Sequence, residues 1–154
     1  MGRRSGRHEA RQGILVDSSV WIEFFRNRAT AQVEWLDRNL GDEGLVVGDL
    51  TPAEILQGFK DDKGFDEARR LLGKLEQVSN GGTDLAVEAA RNDRKLRGLG
   101  LTVRGTVDVL IATRCLADGL RLLHSDRDFD AFARHPGLRV VDCGAQATTA
   151  EGEP

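Results

Sequence analysis

Residues 13–25 read GILVDSSVWIEFF, and this stretch limits the choice of fold more than any other. Ile14, Leu15 and Val16 are consecutive apolar residues with no polar alternate, the pattern of a strand buried on both faces. The run stops at Asp17. Ser18 and Ser19 favour helix N-caps. Val20, Trp21, Ile22, Phe24 and Phe25 then begin a helical apolar face around Glu23 and Arg26. A carboxylate therefore stands where a buried strand ends and a helix begins, which is the edge at which open α/β sheets bind ligands.

The same alternation runs through the chain. Val33, Leu36 and Leu40 predict a helix over 30–40, with Trp35 beside its apolar face, and Gly41 to Gly44 a turn. Leu45, Val46 and Val47 form a second short apolar run. In Thr51-Pro52-Ala53-Glu54, Thr51 suits an N-cap, Pro52 the first helical position, and Glu54 falls three residues after the cap. Ile55, Leu56 and Phe59 continue that helix until residues 61–64 break it. Ala68, Leu71, Leu72 and Leu75 predict a further helix over 65–78. Asn80-Gly81-Gly82 is a turn, and Thr83 then caps a helix to about Arg97 with Leu85, Ala89 and Leu96 inward. Gly105-Thr106 opens a helix carrying Val107, Leu110, Ile111 and Cys115, which Gly119 closes. Leu120, Leu122 and Leu123 read as a strand ended by His124-Ser125-Asp126. A short helix over 128–134 and a last strand over 138–141 follow. Strands alternating with helices predict a parallel β-sheet flanked by α-helices.

A chain of 154 residues favours one domain. Residues 1–12 carry Arg3, Arg4, Arg7 and Arg11 with almost nothing apolar, and read as a disordered basic tail. Residues 13–143 form the domain, and 144–154, small and polar, a flexible tail. With net charge −3 and a pI near 5.6, no bulk basic field exists for nucleic acid, so any such contact needs local basic patches. Cys115 and Cys143 have no metal-ligand spacing and suit a reducing cytoplasm. No apolar run approaches a membrane span, and the basic start lacks the apolar core of a secretory signal.

Acids recur at element boundaries. Asp17 ends the first strand, and Glu54 lies in the first turn after the second. Asp108 lies in the first turn of the Gly105 helix. Asp126 ends the Leu120 strand with Asp128 beside it. Right-handed α/β units would present all of them on one sheet edge. Carboxylates packed together raise one another's pKa or need a cation. Mg2+ and Mn2+ are suitable, because hard cations take oxygen ligands; they activate water and stabilise in-line displacement at phosphorus. Each acid also has a plainer reading. Asp17 and Asp126 can be N-caps, Glu54 half of a capping box, and Asp108 a partner of the helix dipole.

The segments ILVDSSVWIEFF, TPAEILQGF, GTVDVLIATRCLADG and LLHSDRDFDAF together resemble the PIN-domain ribonucleases, and within them the VapC-type toxins of bacterial toxin–antitoxin pairs. The resemblance covers residues 13–142. It implies a PIN-like three-layer α/β fold and a catalytic, metal-binding set of Asp17, Glu54, Asp108 and Asp126, with Asp128 as an auxiliary ligand. Ser19 and Thr106 would support the acids. It further implies Mg2+ or Mn2+ dependence and endonucleolytic hydrolysis of RNA, which with water as nucleophile leaves 5′-phosphate and 3′-hydroxyl ends. The implied partners are a second copy of the chain and a VapB-type antitoxin that covers the site.

Arg91, Arg94 and Lys95 make a basic helix side that suits an RNA backbone or plain solvent. Arg104 and Arg114 are alternative phosphate contacts. His124 is either a general base or structural, and Trp21 and Trp35 suit core or interface. Among rival readings, a receiver-like signalling module needs adjacent acids after its first strand and a lysine after its last. Here Ser18 follows Asp17, and no lysine occurs after Lys95. A haloacid-dehalogenase-like phosphatase needs an aspartate where Ser19 stands. A PIN-like fold that only binds RNA or a partner would not need all four acids.

Overall fold

The computed structural model describes residues 13–144. The basic tail expected at 1–12 and the flexible tail expected from 144 lie outside the described residues, Gly144 excepted. The elements in chain order are β1 (Ile14–Val16), α1 (Ser18–Phe25), α2 (Ala31–Asn39), β2 (Leu45–Gly48), α3 (Thr51–Leu56), α4 (Asp62–Gly73), β3 (Glu76–Val78), α5 (Thr83–Gly98), α6 (Thr106–Asp118) and β4 (Arg121–Leu123). A 3-10 turn (Arg127–Phe129) and α7 (Asp130–Arg134) follow.

The strands form one sheet in the order β3-β2-β1-β4, and every pairing is parallel. Alternate residues feed two separate cores. Leu15, Val46 and Leu122 pack with Ala89, Leu96, Val109, Ile111, Ala112 and Cys115 of α5 and α6. Val16, Val47 and Leu123 pack with Val20, Trp21, Leu36, Ile55 and Leu72 on the opposite face. Both faces are covered, which is why these strands carry unbroken apolar runs. The three-layer α/β arrangement expected from the sequence is therefore present.

The structure corrects the sequence reading at several boundaries. The helix expected over 65–78 starts earlier, at Asp62, and ends at Gly73; residues 76–78 are instead the edge strand β3. Glu76 and Gln77 are exposed there, so no apolar signal marks the strand, and pairing with β2 creates it. Of the capping candidates for α1, Asp17 holds the position and Ser18 and Ser19 do not, with its Oδ2 accepting from the Ser19 N–H at 2.9 Å. Thr51 and Thr83 are first helical residues rather than caps. Leu50 already has helical dihedrals, and Gly82 makes the turn at a φ of 99°, so neither threonine holds the extended capping position. The last expected strand shrinks to a single parallel bridge of Val140 with Leu122. Gly119 does close α6, in the left-handed conformation (φ 70°) that glycine adopts without penalty.

Candidate metal centre

Asp17 follows β1, and its alternation turns it toward the α5–α6 face. The β1 and β4 ends are tied there by a hydrogen bond from the Asp17 N–H to the Leu123 carbonyl, 3.0 Å. The Asp17 side chain is 2% exposed. Its Oδ2 caps α1, while Oδ1 has no hydrogen-bond partner among the described residues. A carboxylate has two oxygens, so capping and ligation are compatible in one residue. Ser19 hydrogen-bonds the Asp17 carboxylate through its side chain and accepts from the Ser125 N–H at 3.0 Å, as expected of a supporting residue.

Glu54 does not complete a capping box, because α3 has no side-chain cap. Its carboxylate instead hydrogen-bonds the Ser18 side chain and lies near enough to Asp17 to feel its charge, while Oε1 is buried without a partner. Asp108, Asp126 and Asp128 bring carboxylate oxygens within 4.8 Å of one another. Asp126 also caps the 3-10 turn, accepting from the Asp128 N–H at 2.9 Å.

These acids share one electrostatic site. Burial is the largest cause of a raised Asp17 pKa, with hydrogen bonds from Ser19 opposing it and the Asp126 charge adding to it. Burial likewise raises Glu54, against its bond with Ser18 and with help from the Asp17 charge. Burial and then the charges of Asp17, Asp126, Asp128 and Glu54 push Asp108 up to about 7. Carboxylates held together against their own repulsion, with two buried oxygens lacking donors, are what a hard divalent cation neutralises. The donor set, oxygen throughout, fits Mg2+ or Mn2+.

Residues 14–135 match the PIN domain family. This chain is a PIN domain. Two relatives are the VapC ribonuclease Mb1587 of Mycobacterium bovis and the ribonuclease VapC11 of Mycobacterium tuberculosis. Each is 34% identical to it over 133 residues, spanning 83% of this chain and 97% of theirs. Among solved structures, DNA-bound VapBC from Salmonella typhimurium aligns with a TM-score of 0.65 at 20% identity, over 84% of this chain and 96% of that one. FitAcB from Neisseria gonorrhoeae aligns at 0.62 and 20%, over 84% and 97%. At such identities these two structures speak for the fold.

Around the acids of this PIN domain, His124 accepts from the Asp126 N–H through Nδ1 at 3.1 Å and packs on Phe129 with ring centroids 4.9 Å apart. Burial lowers its pKa, and an accepting Nδ1 requires the neutral ring. Its place in the structure is to shape the loop. Thr106 is exposed at the start of α6 and lines a cleft with Ala86, Ala89 and Asp93 of α5. Arg104 reaches the site, with its Nε 3.9 Å from Asp128 Oδ2. Arg114 is engaged elsewhere, donating to the Ser79 carbonyl and to Asp118. Arg91 pairs with Glu88 at 3.3 Å on the exposed side of α5, where Arg94 and Lys95 also lie. Trp21 is core, stacked on Phe25, and Trp35 is half-buried.

The sequence reading missed three contacts. Ser18 holds Glu54, although Ser18 reads from sequence only as a capping candidate. Glu23 accepts from the Ser125 hydroxyl at 2.8 Å across 102 positions of sequence, which no local pattern reveals. Asn80 is fully buried, and its amide occupies the space a Cβ on Gly48 would fill.

Proposed function

We propose that this chain is a metal-dependent RNA endonuclease and the toxin of a toxin–antitoxin pair. The observation that carries the reading is the grouping of Asp108, Asp126 and Asp128, with carboxylate oxygens within 4.8 Å of one another, beside Asp17 and Glu54, whose charges act on Asp108 and whose Oδ1 and Oε1 are buried without partners among the described residues. The names of the mycobacterial ribonucleases at 34% identity support RNA as substrate. The fold shared with the toxin of the DNA-bound VapBC complex supports a VapB-type antitoxin as partner. We assign Asp17, Glu54, Asp108 and Asp126 as catalytic metal ligands, with Asp128 as auxiliary. Mg2+ or Mn2+ bound there would supply activation of water and neutralisation of charge on the phosphodiester under attack.

The chain's own residues set the geometry of that reaction. Ser19 and Ser18 fix the Asp17 and Glu54 carboxylates, leaving one oxygen of each for the ion. Asp108 must be deprotonated to bind, so its pKa of about 7 makes occupancy depend on pH near neutrality. Arg104, 85% exposed at its side chain, can turn from Asp128 to an RNA phosphate. Arg91, Arg94 and Lys95 offer a further backbone track along α5. The reading includes a homodimer and a cytoplasmic site of action; no helix among the described residues is long and apolar enough to cross a membrane.

Incubation of the purified chain with end-labelled RNA tests this. Internal cleavage with Mn2+, arrest by chelator, and products with 5′-phosphate and 3′-hydroxyl ends are expected. Cyclic phosphate ends, or full cleavage in chelator, would overturn the mechanism.

A further inference from the structure

Asp126 and Asp128 sit on the loop that leaves β4, and a loop must be held if its acids are to meet Asp17 at ligand distance. Two hydrogen bonds tie this one to α1, and both end on Ser125. The Ser125 N–H donates to Ser19 Oγ at 3.0 Å, and the Ser125 hydroxyl donates to Glu23 Oε1 at 2.8 Å. Ser19 and Glu23 are four residues apart on α1, so they lie on one face of that helix. The same Glu23 oxygen also takes the Thr30 hydroxyl at 3.3 Å, where Thr30 caps α2. Ser125 immediately precedes Asp126, whose Oδ1 in turn fixes Asp128 through its N–H.

We propose that Glu23 is a positioning residue of the metal centre: with Ser19 it clamps Ser125 and so holds Asp126 and Asp128 in register with Asp17. The inference rests on the metal-dependent nuclease reading, with Glu23 acting through Ser125. A carboxylate suits the task because an ionised acceptor makes a shorter and stronger hydrogen bond than a neutral one. The bond is specific to the loop, since the backbone tie of Asp17 to Leu123 lies one step earlier and does not reach Ser125.

Calorimetric titration with Mn2+ tests the clamp, with thermal melts of the same samples in chelator. Glu23→Ala and Ser125→Ala should each weaken Mn2+ binding by about tenfold, the scale seen when a group that orients a ligand is lost. Glu23→Gln should retain most of the affinity, because its amide oxygen can still accept. The double variant Glu23→Ala/Ser125→Ala should bind no more weakly than either single one, since both remove the same bond. Thr30→Val removes a cap and should lower the melting temperature while leaving Mn2+ affinity in place. If Glu23→Ala lowers the melting temperature but binds Mn2+ like the parent, Glu23 is only a tether between helices and the proposal is wrong. Additive losses in the double variant would also overturn it. A parent chain that binds no Mn2+ would instead overturn the metal-dependent reading itself, and the clamp with it.

Discussion

At the scale of single residues, Asp108 makes the site pH-sensitive. Its folded-state pKa is raised to about 7, first by burial and then by the surrounding acids, and Asp17 and Glu54 are raised with it. The folded chain therefore holds protons that the unfolded chain releases. The stability Asp108 contributes is complete below the ordinary carboxylate range and is lost as pH rises through about 7, and Asp17 and Glu54 act in the same direction. In chelator, the melting temperature should fall between pH 5.5 and pH 8, and Asp108→Asn should flatten the slope. Mn2+ should raise the melting temperature more at pH 8 than at pH 5.5, because protons and metal compete for the same oxygens. A melting temperature that climbs with pH in chelator would contradict the raised pKa values.

At the scale of elements, β2 ends on Gly48 because the Asn80 amide lies where a side chain would start. Gly48→Ala should force Asn80 out of a fully buried position and cost roughly 1–3 kcal/mol in chemical denaturation; no change in stability would mean that Asn80 relocates freely. Neither residue is legible as a pair from sequence, since the contact crosses from β2 to the turn after β3. What is legible follows from local chemistry. The apolar triplets at Ile14 and Leu45 and the leucines at 120, 122 and 123 announce buried strands, and the acids beyond them announce the functional edge. β3 stays hidden because an exposed edge strand needs no apolar residues. The caps on α1, α3 and α5 each shift by one or two residues: aspartate takes the position on α1 and glycine on α5, while α3 starts from the already helical Leu50. Glu54 is the instructive case: its spacing fits a capping box, yet Ser18 and the pull of the site claim its carboxylate.

At the scale of the whole molecule, one edge of the sheet collects negative charge, while α1 and α2 leave partly exposed apolar side chains between them. Phe24, Phe25 and Val33 line a cleft there with Arg28, Glu34 and Asp37. That surface suits the homodimer and antitoxin contacts of the proposed function, and light scattering at high concentration should report twice the chain mass; monomer throughout would remove the dimer. The antitoxin should present an arginine to the acids, satisfying them in place of metal. The central claim concerns Asp17. Cleavage of one RNA in Mn2+ by the parent chain and by Asp17→Asn, both shown folded by circular dichroism, is its most direct test. Asparagine can still cap α1, so the variant should keep its fold and lose about a hundredfold or more in rate, the scale of a removed electrostatic stabiliser. Asp126→Asn should match that loss, and Asp128→Asn should lose less. Cleavage by Asp17→Asn at the parent rate would contradict the account.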